Sequence, residues 1–244
     1  MPNILATRNH ELMNEPGLQG VLEAAVHDYI SARCRPAYLH EMRSGLQAIQ
    51  SSVELMARSA AAAADNSAVA RKASELAKRA IANHEIAISR VLDDLIATQQ
   101  EAAPMDLGVL LGDVVEFLQN MLASNDLAVN LTAGEGIMIH ARKGRLRMAV
   151  LGLIGNAVEA MPRGSRLPVS VERQSSRALL RLGWAGIDSA LRIPDWNELR
   201  SGVDLNALIA PVARHVVMAD GGQLTTSSGT GDEAALSITY PLLS

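Results

Sequence analysis

Cysteine is almost absent. The single Cys34 rules out a disulfide within the chain and leaves no thiolate cluster for zinc, a usage that fits a reducing cytosol. Aromatic side chains make up only 2% of 244 residues, which argues against an aromatic-rich sandwich and for helices packed through small and aliphatic groups. Excess positive charge is missing too. With 22 Lys and Arg against 26 Asp and Glu the net charge is -4, and no basic stretch forms a patch, so nucleic acid is not an expected partner. Long apolar runs are also lacking. Met1 to Arg8 does not have the basic-then-apolar order of a targeting signal, and no window approaches the roughly 20 apolar residues of a membrane span. No membrane span is expected, and the cytoplasm is the predicted location. What remains, 48% hydrophobic residues, is enough to build one large or two small cores.

Periodicity divides the chain. Residues 1–35 read as a polar leader followed by an amphipathic helix over about 17–34, in which Leu18, Val21, Leu22, Ala25, Tyr29 and Ile30 share a face. Pro36 then starts a new helix or kinks a continuous one. Residues 36–101 carry two apolar seams, Leu39, Met42, Leu46, Ile49, Val53, Met56 and then Ala77, Ile81, His84, Ile88, Val91, Leu95, separated by the turn residues Asp65-Asn66-Ser67. This pattern predicts an antiparallel helical hairpin. A lone hairpin leaves one side of its seam wet, so a homodimer forming a four-helix bundle is expected. Residues 102–244 mix helices near 107–124, 143–161 and 207–219 with short strands, the pattern of an α+β domain with helices on one face of a sheet.

His40 falls off the first seam. It shares a polar face with Arg43, Ser44, Gln47 and Glu54, which displays an imidazole to water with an acid beside it and a hydroxyl one turn on. Any histidine taken alone is most often simply solvated. His84, by contrast, falls on the second seam and reads as a satisfied core histidine.

The run His40-Glu41-Met42-Arg43-Ser44-Gly45-Leu46 resembles the phosphoacceptor box of sensor histidine kinases, His-Glu-Leu-Arg-(Thr or Asn)-Pro-Leu. Arg145 to Pro162, containing Gly155-Asn156-Ala157-Val158-Glu159-Ala160, resembles the helix with the family's magnesium-binding asparagine. Val216 to Gly222 and Leu236 to Pro241 resemble its closing helix and strand. The resemblance covers roughly Arg35 to Leu242. It implies a dimerisation and phosphotransfer hairpin, then a two-layer α/β sandwich of the kind shared with Hsp90 and gyrase ATPases. It implies His40 as phosphoacceptor, Glu41 as the group orienting and activating the imidazole, and Ser44 as the hydroxyl positioning a phosphoryl group or water. Asn156 and Glu159 are implied as remnants of a nucleotide site, with Asn156 as the metal ligand.

Several family positions are altered. Gly45 replaces a proline, Gly152 an asparagine one turn before Asn156, and Leu182 the aspartate that binds adenine. Only Gly186 and Ile187 match the loop after it, Asp188 is the nearest stand-in acid, and Trp196 lies in a short lid. Ala207 and Ile209 stand where phosphate-loop glycines belong. This combination is similar to kinase-derived histidine phosphotransferases, which relay phosphate between receiver aspartates and need no ATP. Expected partners are a response-regulator receiver domain and an upstream sensor or hybrid kinase. The alternatives are a divergent kinase that uses ATP and Mg2+ to phosphorylate His40, and a non-catalytic dimeric regulator that binds a kinase or response regulator.

Overall fold

A computed structural model describes residues 16–61, 67–96, 99–183, 205–227 and 235–243. The chain divides into two compact units, Arg33–Leu95 and the remainder, Met1–Ala32 with Ile96–Ser244. Helix α1, Pro16–Ala61, runs without interruption through Pro36, so the proline does not start a new helix. The leader expected as a separate segment over 1–35 is, in its described part, continuous with the hairpin helix, and its residues through Ala32 belong to the second unit.

In the first unit α1 is followed by α2, Ser67–Leu95. The pairs Tyr38 with Asp94 and Glu41 with Arg90, and the approach of His84 to Gly45, advance along one helix as they retreat along the other. This is an antiparallel hairpin. Its interior differs from the predicted seams. Tyr38, Ser52 and Ser59 are buried on α1, and Ala73, Ala77, Ala80, Ala87 and Asp94 on α2. Leu39, Leu46 and Val53, counted in the first seam, are half exposed or more. Small side chains fill much of this interior, and the bulky aliphatics are turned about one residue's rotation outward.

The second unit contains strand β1 (Ala103–Asp106), helix α3 (Leu107–Ser124), β2 (Ala128–Ala133), β3 (Met138–Ala141) and helix α4 (Lys143–Ala160). Then come β4 (Arg166–Gln174), β5 (Arg177–Gly183), helix α5 (Leu205–Ala219), β6 (Gln223–Ser227) and β7 (Ala235–Pro241). Five strands form a mixed sheet in the order β2-β4-β5-β7-β6, parallel only between β2 and β4, while β1 and β3 pair apart as an antiparallel ribbon. Burial alternates along β4 and most of β7, while β5 also buries Leu179. Leu167, Val169 and Val171, Ala178, Leu180 and Leu182, and Leu236, Ile238 and Tyr240 are all buried on one face, where the helices lie. The unit is therefore α+β in two layers, as the periodicity predicts. Strand β1 escapes sequence reasoning because Pro104 cannot donate to a ladder and reads as linker.

Among the described residues, Leu107–Ser124 is the one helix long and apolar enough to cross a membrane. It is a core helix. Leu110, Leu111, Val114, Phe117, Leu118 and Leu122 are buried, and Asp106 caps it by accepting from the N–H groups of Gly108 (2.8 Å) and Val109 (3.2 Å). At the other end of the domain, Asp220 after α5 accepts from Arg142 N (2.9 Å) and Nε (2.7 Å), tying the start of α4 to the end of α5.

Tyr240 is fully buried with no partner for its hydroxyl among the described residues, and its ring lies where a Cβ on Gly222 would stand. Burial pushes its phenol well above the ordinary value, and the charge of Asp220 adds to the shift. A phenol with a raised folded-state pKa contributes stability that is fully present below about pH 10 and falls as pH rises above it. Tyr240→Phe should leave thermal stability near pH 7 unchanged or slightly higher, since no hydrogen bond is lost. The same substitution should lessen the decline above pH 10, as followed by thermal unfolding across pH.

Candidate functional site

His40 lies in the middle of α1 with its side chain exposed, and no hydrogen bond to its ring is found among the described residues. Ser44, one turn on, is also exposed. Glu41 does not contact its neighbour's ring. Its Oε1 accepts from Arg90 Nη1 across the hairpin at 2.8 Å, with the two side chains 31% and 15% exposed. Adjacent helical residues point about 100° apart, which turns Glu41 toward α2 while His40 remains in water. Its second oxygen, Oε2, is buried without a partner among the described residues. One turn earlier, Tyr38 donates its buried hydroxyl to Asp94.

Gly45 has a local role that the family's proline does not explain. A Cβ built there would lie 2.6 Å from His84 Nδ1 and 3.2 Å from His84 Cβ, so the missing side chain makes room for the imidazole. His84 is half-buried and faces α1, with its Nδ1 shielded from solvent, so its seam position is met only in part. It is not satisfied there, because Nδ1 is buried with no partner among the described residues. Sequence reasoning missed Arg90 and the pairing of Tyr38 with Asp94. The signal was present in the seven-residue recurrence of Ala73, Ala80 and Ala87, which fixes the register of α2 and leaves Arg90 on the flank facing Glu41.

The residues implied for a nucleotide meet on the second unit. Asn156 is nearly buried and donates through Nδ2 to the backbone carbonyl of Asn206 (3.0 Å). Asn206 donates through its own amide to Glu159 Oε2 (3.3 Å) and accepts from the hydroxyl of Tyr29 (2.9 Å). Asn156 and Glu159 are thus brought together, in a polar cluster closed by Tyr29 from α1. Gly152 is enclosed: a Cβ would lie 2.7 Å from Ile30 Cδ1 and 2.8 Å from Ile209 Cγ2. Beside them Glu23 forms a two-point ion pair with Arg145, both nearly buried. Val26, Ile30, Met148, Ile209 and Val216 line a cavity of about 20 Å³, room for about one water.

Leu182 is fully buried within the sheet, between Val169 on β4 and Leu236 on β7. Ile209 is also buried, in the α5 face that meets Ile30 and Gly152. Gly186, Ile187, Asp188 and Trp196 lie outside the described residues. No group of three or more His, Cys, Asp or Glu is gathered as a metal site among the described residues.

No family model and no curated protein matches the chain. The solved structures it resembles include histidine kinases. Acinetobacter baumannii AdeS is 15% identical, over 84% of this chain and 98% of that one, with a TM-score of 0.47. The mycobacterial sensor kinase MprB is 18% identical, over 58% and 97%, at 0.47. Full-length ShkA, determined in complex with AMPPNP, is 16% identical over 94% of this chain, which spans about half (46%) of ShkA, at 0.49. Likenesses of this strength carry no conclusion about function.

The contact between Gly45 and His84 has a measurable consequence of unusual sign. In an ordinary helix Gly→Ala stabilises by about 1 kcal/mol. Here the added methyl meets a ring with little room to move, and overpacking of this kind costs about 1–3 kcal/mol. Gly45→Ala should therefore be neutral to destabilising in the native background and stabilising by about 1 kcal/mol when His84 is also Ala. Chemical denaturation of the four proteins of that cycle measures it.

Proposed function

We propose that this protein is a histidine phosphotransfer component of a two-component phosphorelay, exchanging phosphoryl groups between His40 and receiver-domain aspartates without ATP. The observation that carries this reading is the packing on Gly152. Where the resemblance implies a nucleotide and its magnesium, Ile30 and Ile209 fill the space beside α4, and the amide of Asn156 is engaged with Asn206. Leu182 offers no acceptor for an adenine amine, and leaving such a donor unpaired costs about 1–3 kcal/mol. These residues do not fit a magnesium nucleotide.

The hairpin fits the other half of the reaction. His40 is exposed on a rigid helix, which suits in-line approach of a phosphoaspartate, and such exchange is chiefly a matter of positioning. The neutral imidazole attacks through Nε2, the nitrogen at the far end of the ring. The phosphorus–oxygen bond to the aspartyl carboxylate breaks as the nitrogen–phosphorus bond forms, and the carboxylate departs as such. Magnesium belongs to the receiver. Ser44, exposed one turn on, is the hydroxyl this reading assigns to the phosphoryl oxygens. The outward row Leu39, Leu46 and Val53, with Ile81 and Ile88 on α2, supports a second copy of the hairpin completing a four-helix bundle.

The test incubates the protein and its His40→Ala form separately with labelled ATP and with labelled phosphorylated receivers. Label should arrive from a receiver only and be lost in the variant. Label from ATP would make the protein a kinase, and label from neither would leave a binding role.

A further inference from the structure

Glu41 is half-buried and has two oxygens with different fates. Oε1 is bonded to Arg90 at 2.8 Å, and Oε2 is shielded from solvent yet has no donor among the described residues. A carboxylate oxygen withdrawn from water without a partner is costly, and its most economical remedy is a nearby N–H. The ring of His40, the preceding residue, is exposed and carries no hydrogen bond among the described residues. Its Nδ1 is the ring nitrogen nearer the backbone. Adjacent helical residues point about 100° apart, so a bond between that nitrogen and Glu41 requires the ring to lie along the helix surface.

We propose that Arg90 is a positioning residue for phosphoryl transfer at His40, holding Glu41 by Oε1 so that Oε2 stands ready for the ring Nδ1–H. This rests on the function proposed above and adds to it a residue on the second helix of the hairpin. The guanidinium keeps its charge and donates to Oε1, so it fixes where the carboxylate lies. Acceptance from Nδ1–H selects the tautomer whose Nε2 has the free lone pair. As Nε2 bonds to phosphorus the ring becomes cationic, and Oε2 faces the charge that develops. No proton leaves the ring in this step. Without Arg90 the carboxylate is free to leave the hairpin flank, and the imidazole reverts to the behaviour of an exposed histidine.

The experiment compares the full-length native protein with Arg90→Met, Arg90→Lys, Glu41→Gln and the Arg90→Met/Glu41→Gln double variant. Phosphorylation of His40 is followed with phosphoramidate, whose phosphorus–nitrogen bond breaks with release of ammonia. The tautomer of neutral His40 is read by nitrogen-15 NMR. Arg90→Met should slow phosphorylation about tenfold, and Arg90→Lys should restore most of the rate. The double variant should be no slower than Glu41→Gln alone, and the native bias toward Nδ1–H should relax in Arg90→Met. Unchanged or faster phosphorylation in Arg90→Met would overturn the proposal, as would additive losses in the double variant or identical tautomer ratios. Circular dichroism identifies any variant that has merely unfolded, and Arg90→Lys, which keeps the charge, then decides through its tautomer. If receivers fail to label the native protein, the phosphorelay reading falls, while the phosphoramidate and tautomer measurements still decide the role of Arg90.

Discussion

A missing side chain at residue 152 is the constraint on which the second unit's functional face depends. With Gly152 on α4, Ile30 and Ile209 meet at the backbone, and every larger residue there would force them apart. The ion pair of Glu23 with Arg145 and the bond from Tyr29 to Asn206 lie on the same contact. A buried ion pair adds little net stability over an apolar pair, but losing one partner strands the other charge and typically costs about 3–5 kcal/mol. Such a pair fixes which segment lies on this face. The first part of α1 therefore lies against Gly152 on α4, and Asn156, Asn206, Glu159 and Tyr29 are bonded to one another beside it.

The hairpin repeats the theme. Small residues line much of its interior, and Gly45 accommodates His84 as Gly152 accommodates Ile30 and Ile209. Leu39, Leu46 and Val53 lie outside, and the segment around His40 is a place of polar pairs, Tyr38 with Asp94 and Glu41 with Arg90, beside an interior rich in alanine. Polar pairs of this kind specify geometry more than they stabilise.

Much of this was legible in the residues. The two long helices of the hairpin, the α+β mixture after them and the exposure of His40 follow from periods of 3.5, 3.6 and 2, which depend on local geometry alone. What was not legible depends on how side chains from distant positions fit together. Periodicity places Leu39 on a seam because it is apolar, whereas the hairpin buries Tyr38 and Ser52 and sets Gly45 against His84. Pro36 reads as a boundary, yet the helix continues through it. Gly152 looks like a loss when compared with an asparagine pattern. Only the packing shows it as a requirement, because Ile30 lies 122 positions earlier and nothing local records the contact.

The central claim is that Ile30 and Ile209 have taken the place of a nucleotide. Titration of the native protein with ATP in the presence of magnesium, followed by calorimetry, tests it most directly. The account predicts no binding heat up to about 1 mM, whereas saturable, magnesium-dependent binding at about micromolar concentrations would contradict it.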